Sequence, residues 1–204
     1  MNIEDTYKTI EGVSEGMFKD RGSKFISVAF PVTTEEEVKQ RLDELRKKYH
    51  DARHHCYAYI LDADKSVYRI NDDGEPSGTA GRPIHGQLLS NDLTGVLIVV
   101  IRYFGGTKLG VSGLINAYRA AAKEAIESNK IITKTIHDVY GLNFKYEGMN
   151  DVMRIIKEEG LNIISQQFEL QCSIEYSVRK KNADFAYERF SKIKDLRIKY
   201  LRTL

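Results

Sequence analysis

Three stretches of the chain gather residue types able to do chemistry. His54-His55-Cys56 sets two imidazoles beside a thiol. Asp72, Asp73 and Glu75 crowd three carboxylates into "NDDGEPSGTAGRP". "RYFGGTKLGVSG" carries glycines, Lys108 and Ser112 after an apolar run. The chemistries these types invite are metal ligation or thiol attack, acid–base work, and phosphate binding.

Spacing decides among them. Against the template G-x-x-x-x-G-K-[ST], Gly105 and Gly110 fit and Ser112 takes the hydroxyl position, but Val111 stands where the lysine belongs. An apolar side chain cannot supply the charge that reaches terminal phosphates, so nucleotide hydrolysis is disfavoured. The dinucleotide pattern G-x-G-x-x-G is absent, the glycines being Gly105, Gly106, Gly110 and Gly113. What survives is a generic anion site, free N–H groups at a helix start together with Lys108. The competing reading is that the glycines let strand and helix pack closely.

In a strand, His54 and Cys56 share one face while His55 takes the other, so at most two of the three ligate together. His50 and His54 have zincin spacing, but Asp51 stands where the glutamate is needed. No metal set is assigned, and no motif calls for a cofactor. A thiol enzyme would need a histidine placed on Cys56, with His85 the candidate, whereas strand cysteines are usually buried and inert. In the acidic loop no paired general acid stands out, and Asp73-Gly74 and Glu75-Pro76 are ordinary turn chemistry. The loop is nonetheless longer than a minimal connection, which favours a functional role.

The elements that must position these residues follow from periodicity. Thr6–Gly12 and Gly22–Val32 read as strands, and Thr34–Tyr49 as an amphipathic helix begun by Thr33 or Thr34. His54–Leu61 and Ser66–Ile70 read as a hairpin, Asp72–Pro83 as a loop and Ile84–Ser90 as a short helix. Gly95–Phe104 is the most apolar segment, suited to a central strand. Ser112 is placed to cap a helix through Ser128, and Ile131–Thr135 leads onward. From Asp138 the pattern is plainer: strand to Tyr146, helix Asn150–Glu159, strands Leu161–Phe168 and Leu170–Val178, helix Asn182–Ile193, and a last strand from Leu196 to Tyr200. That order is βαββαβ, a ferredoxin-like sandwich. The fold class is α+β in two domains, 1–135 and 136–204.

Composition bounds the rest. The 204 residues are 42% apolar and 29% charged, enough for real cores. No apolar run reaches a membrane span, and "MNIEDTYKTIEG" is acidic where a signal peptide is basic, which reads as cytoplasmic. Cys56 and Cys172 form no C-x-x-C and suit a reducing compartment. Net charge is only +2, yet residues 179–204 hold nine Lys/Arg against three Asp/Glu. The open face of the second sheet shows Gln171, Ser173, Glu175, Ser177, Arg197 and Lys199 and lacks the aromatic residues on which an RRM stacks bases. Arg179, Lys180, Lys181, Arg197 and Lys199 form a candidate basic platform, set against the plainer reading of a solvated face. Nothing in the pattern specifies an oligomeric state.

"HHCYAY", "DDGEPSGTAGRPI" and "VVIRYFGGTKLGVSGLINAYRAA", in that order, resemble the IMPACT family, called the YigZ family in bacteria. The resemblance implies a first domain similar to the second domain of a small-subunit ribosomal protein, and a second domain similar to a late domain of elongation factor G. Eukaryotic relatives restrain a stress-activated kinase of translation initiation by competing for its activator, so the theme it carries is translation or RNA contact. Its motif positions here are Lys24, His54, Cys56, Asp73, Gly74, Glu75, Pro76, Thr79, Ala80, Gly81, Pro83, Arg102, Tyr103, Gly105, Gly106, Gly110 and Tyr118, and none is an assigned catalytic residue.

Three functions are therefore weighed. The first is a non-enzymatic binding protein linked to translation, contacting RNA, the ribosome or a translation-associated protein through Lys24, Arg82, Arg102 and Lys108 and the basic platform. The second is a small-molecule-binding or hydrolytic enzyme with His54, Asp73, Glu75 and Arg102 around one cleft. The third is a protein–protein adaptor, which an apolar motif surface would favour.

Overall fold

The structure is a computed structural model describing residues 5–204. The first four residues, part of the stretch read as lacking a leader, lie outside the described residues. The elements in chain order are β1 (Thr6–Ile10), β2 (Ser14–Asp20), β3 (Ser23–Pro31), α1 (Glu35–Lys48), β4 (His54–Ile60), β5 (Tyr68–Asn71), α2 (Gly81–Ser90), β6 (Val96–Tyr103) and α3 (Gly110–Glu127). They continue with β7 (Ile131–Thr135), β8 (His137–Lys145), α4 (Met149–Glu158), β9 (Asn162–Phe168), β10 (Gln171–Arg179), α5 (Ala183–Ser191) and β11 (Arg197–Thr203). The chain divides into one unit of Tyr7–Lys134 and another of Thr135–Leu204 with the segment through Thr6.

In the first unit, β2-β3-β6-β4-β5 form one sheet in that order, every pairing antiparallel. Central β6 is apolar at every position from Val96 to Ile101, because both its faces are covered. Ile98 and Val100 pack with Ile84, Leu88, Ala117 and Ala121 of α2 and α3, while Leu97, Val99 and Ile101 pack with Val38, Leu42 and Leu45 of α1. At the start of α1, Thr34 accepts a hydrogen bond from the Glu37 N–H, and the Glu37 carboxylate takes the Thr33 N–H at 2.7 Å. Most of β1 and β7 also belongs to this unit, as a two-stranded sheet.

Three departures from the sequence reading bear on the first unit's site. β2 was not anticipated. α2 begins at Gly81 rather than Ile84, because Asp72 caps it from upstream and Pro83 is tolerated in a first turn. α3 begins at Gly110, which leaves Ser112 inside the helix, and no side chain caps it.

The second unit runs β8-α4-β9-β10-α5-β11, the βαββαβ order, with the antiparallel sheet β11-β8-β10-β9. Leu142, Phe144, Ile174 and Tyr176 meet Val152, Ile155, Ala186 and Phe190 in its core. Tyr146, read as the last residue of that strand, sits in a 3-10 turn and is exposed, because the chain turns into α4 there. Among the described residues no helix is long and apolar enough to cross a membrane.

Candidate functional site

Register fixes what the end of β6 meets. Arg102 pairs with Phe25 on β3 and with His54 on β4, placing the three side chains in one row. The row lies on the side of the sheet that carries α3, since Phe25 packs edge-on against Tyr118. Arg102 is 7% exposed. Its Nη1 donates to Glu75 Oε1 at 2.6 Å, and the Tyr118 hydroxyl donates to the same oxygen at 2.8 Å. The guanidinium carbon lies 5.4 Å from the centroid of the Phe25 ring and 5.7 Å from that of Phe104. Its Nε is buried without a hydrogen-bond partner.

Cys56 continues the network inward, with Sγ 3.3 Å from the Tyr118 hydroxyl and 3.0 Å from the Asp72 carbonyl oxygen. Burial pushes its thiol well above the ordinary cysteine range. Burial likewise raises the Tyr118 hydroxyl. Neither group is poised to ionise near neutral pH.

The acids of the 71–83 loop are engaged one by one. Burial raises Asp72, but bonds from the Gly78, Gly81 and Ala80 N–H groups outweigh it and hold the carboxyl below its ordinary value. Asp73 accepts the His55 N–H at 2.6 Å, so its carboxylate serves the strand. The Asp73 carbonyl oxygen lies 2.8 Å from His54 Nδ1, which must therefore donate and leaves Nε2 as the acceptor of the neutral ring.

Outside this network opens a cleft of about 910 Å³, lined by His54, Glu75 and Arg102, by Arg53 and Lys108, and by Phe104, Leu109, Val111 and Leu114. The first turn of α3 forms one wall, with no side-chain cap and no acidic residue in that turn. At the rim the Tyr103 hydroxyl donates to Asp51 at 2.6 Å, which pushes the hydroxyl up to about 12. Phe104 is 57% exposed and Val111 60%.

The structure thus brings His54, Glu75, Arg102, Tyr103, Lys108 and Gly110 to one cleft, with Cys56 and Tyr118 behind it. Lys24 pairs with Tyr103 rather than lining the cleft, and Arg82 is exposed on α2. Thr79 is buried and donates to the Pro76 carbonyl oxygen. Gly105 serves close packing: a Cβ there would lie 1.8 Å from the Gly22 carbonyl carbon, so its partner is the β2–β3 turn rather than a helix. Gly106, at φ +88°, meets nothing within 4 Å. Arg53 and Phe104 were not picked out from sequence, although Phe104 stands inside the quoted glycine stretch, and Val111 was read only as the residue in place of a P-loop lysine.

In the second unit Arg179 forms a bidentate pair with Asp5, at 2.5 and 3.2 Å. Lys181, Arg197 and Lys199 are exposed and Lys180 half-buried. Arg197 stands opposite Asn143 and Arg179 opposite His137. That separation along β8 is about 20 Å, so Arg179 and Arg197 stand toward opposite ends of β8. Among the described residues no group of three or more His, Cys, Asp or Glu is arranged to hold a metal ion.

Residues 21–126 match the profile of the Impact N-terminal domain. The chain belongs to this family. It is 28% identical over 179 residues to the IMPACT family member YvyE of Bacillus subtilis, covering 88% of this chain and 82% of that one. To the family member YigZ of Escherichia coli it is 32% identical over 149 residues, covering 72% and 73%. The crystal structure of a hypothetical protein is similar in fold, with a TM-score of 0.76 at 23% identity over 98% of this chain and 99% of that one. All the residues that line the cleft fall inside the Impact match, whereas Arg179, Lys180, Lys181, Arg197 and Lys199 lie beyond it.

Proposed function

We propose that this Impact family member is a non-enzymatic binding protein linked to translation or its regulation, which contacts RNA or the ribosome through the cleft at the end of β6. One observation carries the reading. Arg53, Arg102 and Lys108 gather around an uncapped helix N-terminus, next to the exposed ring of Phe104. Cations and helix-start N–H groups suit phosphates, and an exposed ring suits a base. The link to translation comes from the family resemblance.

The hydrolytic reading is the weaker one. Asp73 is turned away to His55, Glu75 Oε1 is occupied by two donors, and the Cys56 thiol is held protonated. The adaptor reading keeps support from the exposed pair Phe104 and Val111, an apolar surface of the kind protein partners cover.

The test is ribosome co-sedimentation and RNA binding by the full chain across a salt series. Arg53→Ala with Lys108→Ala is the informative variant, because Arg102 is buried in an ion pair and its removal would confound binding with folding. Binding that weakens with salt, and a log–log salt slope reduced by about 1.4 for two lost phosphate contacts, is the expected result. Salt-insensitive binding unchanged by the double variant would favour the adaptor.

A further inference from the structure

The outer strands of the sheets differ in one respect. β2 carries Glu15, Lys19 and Asp20, β5 carries Arg69, and β11 carries Arg197, Lys199 and Arg202. The two-stranded sheet has Lys8 on β1 and Lys134 on β7. Charges on an edge strand keep sheets from joining edge to edge. β9, "NIISQQF", is an outer strand of the second unit's sheet and carries no charged residue. Among the described residues only β10 pairs with it, and positions 164–168 are all exposed.

The apolar residues of this bare edge stand in a telling order. Phe168 lies opposite Cys172 and Gln166 opposite Ile174, both buried, so these two positions face the helix-covered side of the sheet. By alternation Ile164 follows on the same side. Ile164 is 41% and Phe168 47% exposed, which leaves the core open at this edge. Leu170, in the turn that follows, is exposed as well. The ladder with β10 is regular from Ser165 to Phe168, and its one irregularity falls at Ile164.

In an antiparallel pair about a two-fold axis, a strand meets its own sequence reversed. With the axis at Gln166, Ile164 meets Phe168 of the second copy, and Phe168 meets Ile164. Apolar side chains opposed on one face stabilise neighbouring strands. Gln166 meets its own counterpart, and a primary amide both donates and accepts. A charge at the axis would meet a like charge, so self-pairing needs the neutrality that β9 alone of the edge strands has. The mirrored order of Ile164 and Phe168 about Gln166 fits a second copy for the same reason.

We propose that β9 pairs antiparallel with β9 of a second copy about a two-fold axis at Gln166, joining the two four-stranded sheets edge to edge. The proposal is independent of the contact with RNA, whose residues lie in the other unit. The paired stretch is short, so the dimer is expected to be weak and concentration-dependent.

The experiment is sedimentation of the full chain from about 1 to about 200 μM, the range in which a weak interface fills. The mass is expected to rise toward twice the 23.3 kDa of one chain. Gln166→Lys and Gln166→Glu each set like charges on the axis, and because Gln166 is exposed neither should lower Tm. Each variant alone should weaken dimerisation by about tenfold or more, and an equimolar mixture of the two should restore it as a heterodimer. A chain that stays monomeric throughout overturns the proposal and leaves the edge to a strand of another protein. A dimer indifferent to both variants, or variants that do not recover on mixing, overturns it too.

Discussion

Arg102 and Tyr118 converge on a single carboxylate oxygen: Glu75 Oε1 accepts from Arg102 Nη1 at 2.6 Å and from the Tyr118 hydroxyl at 2.8 Å. The Arg102 and Glu75 side chains are only 8% and 4% exposed, so water screens the pair weakly. This couples the turn-rich 71–83 loop to the end of β6 and to α3, and it sets the floor of the cleft.

The first prediction concerns that pair. Glu75→Gln strands a buried guanidinium and is expected to cost about 3–5 kcal/mol in urea unfolding. Adding Arg102→Met removes the second charge and should recover much of the loss. The double-mutant cycle should give a coupling above about 2 kcal/mol; additive single effects would show that the pair contributes little to holding the loop.

A second prediction follows from Cys56, whose thiol is buried and pushed upward, and from Cys172, also fully buried. Neither should react with a thiol reagent in the native chain, and two thiols should appear on unfolding. Tyr118→Phe removes a partner of both Cys56 and Glu75 and should cost about 1–3 kcal/mol. Labelling of Cys56 should quicken by the factor that matches the lost stability, provided closing outpaces reaction. Rapid native labelling of Cys56 would contradict its placement.

How much of this was legible in the sequence depended on where partners lie along the chain. Cys172, Ile174, Tyr176 and Val178 alternate without fault, and all four are buried on one side of β10. The βαββαβ order could be read for that reason. β2, "SEGMFKD", is an edge strand with few apolar positions, and its register comes only from β3. The start of α2 was misread because its cap, Asp72, comes from nine residues upstream. At the site, Arg102 and Lys108 stood out by type and position. The burial of Arg102 did not, because Glu75 is 27 residues away and Tyr118 meets both only after α3 packs on the sheet.

A third prediction uses His55. Its Nε2 is buried without a partner, and Nδ1 lies 4.0 Å from Asp73 Oδ2. Burial lowers its pKa, the Asp73 charge opposes that, and Arg46 and His54 add to it. With the folded value depressed, the unfolded chain binds the proton first as pH falls. Stability is therefore fully present above the ordinary histidine value near 6.5 and is lost as pH drops from there through the folded value. His85 is depressed by burial too and tilts the curve the same way. His55→Gln should flatten the unfolding free energy between about pH 6.5 and 5, removing at most about 1.4 kcal/mol per pH unit. An unchanged slope would show that His55 takes up its proton equally in both states.

The fourth prediction separates two adjacent glycines by mechanism. At Gly105 an added Cβ would fall 1.8 Å from the Gly22 carbonyl carbon and 2.1 Å from the Ser23 nitrogen. Those are backbone atoms that cannot rotate aside, and the Gly105 N–H is itself bonded to Ser23 Oγ. Gly106 has open space around it, and only its φ of +88° resists a side chain. Gly106→Ala should therefore cost about 1 kcal/mol and leave ligand affinity little changed. Gly105→Ala has to push the β2–β3 turn from the end of β6, at a cost of roughly 1–3 kcal/mol or more, as overpacking does. It should also displace Phe104 and Lys108 and so weaken RNA binding beyond any effect of Gly106→Ala. Urea unfolding and anisotropy on the two variants check this together. Equal effects on both measures would mean that backbone conformation, not contact with Gly22, dictates glycine at the end of β6.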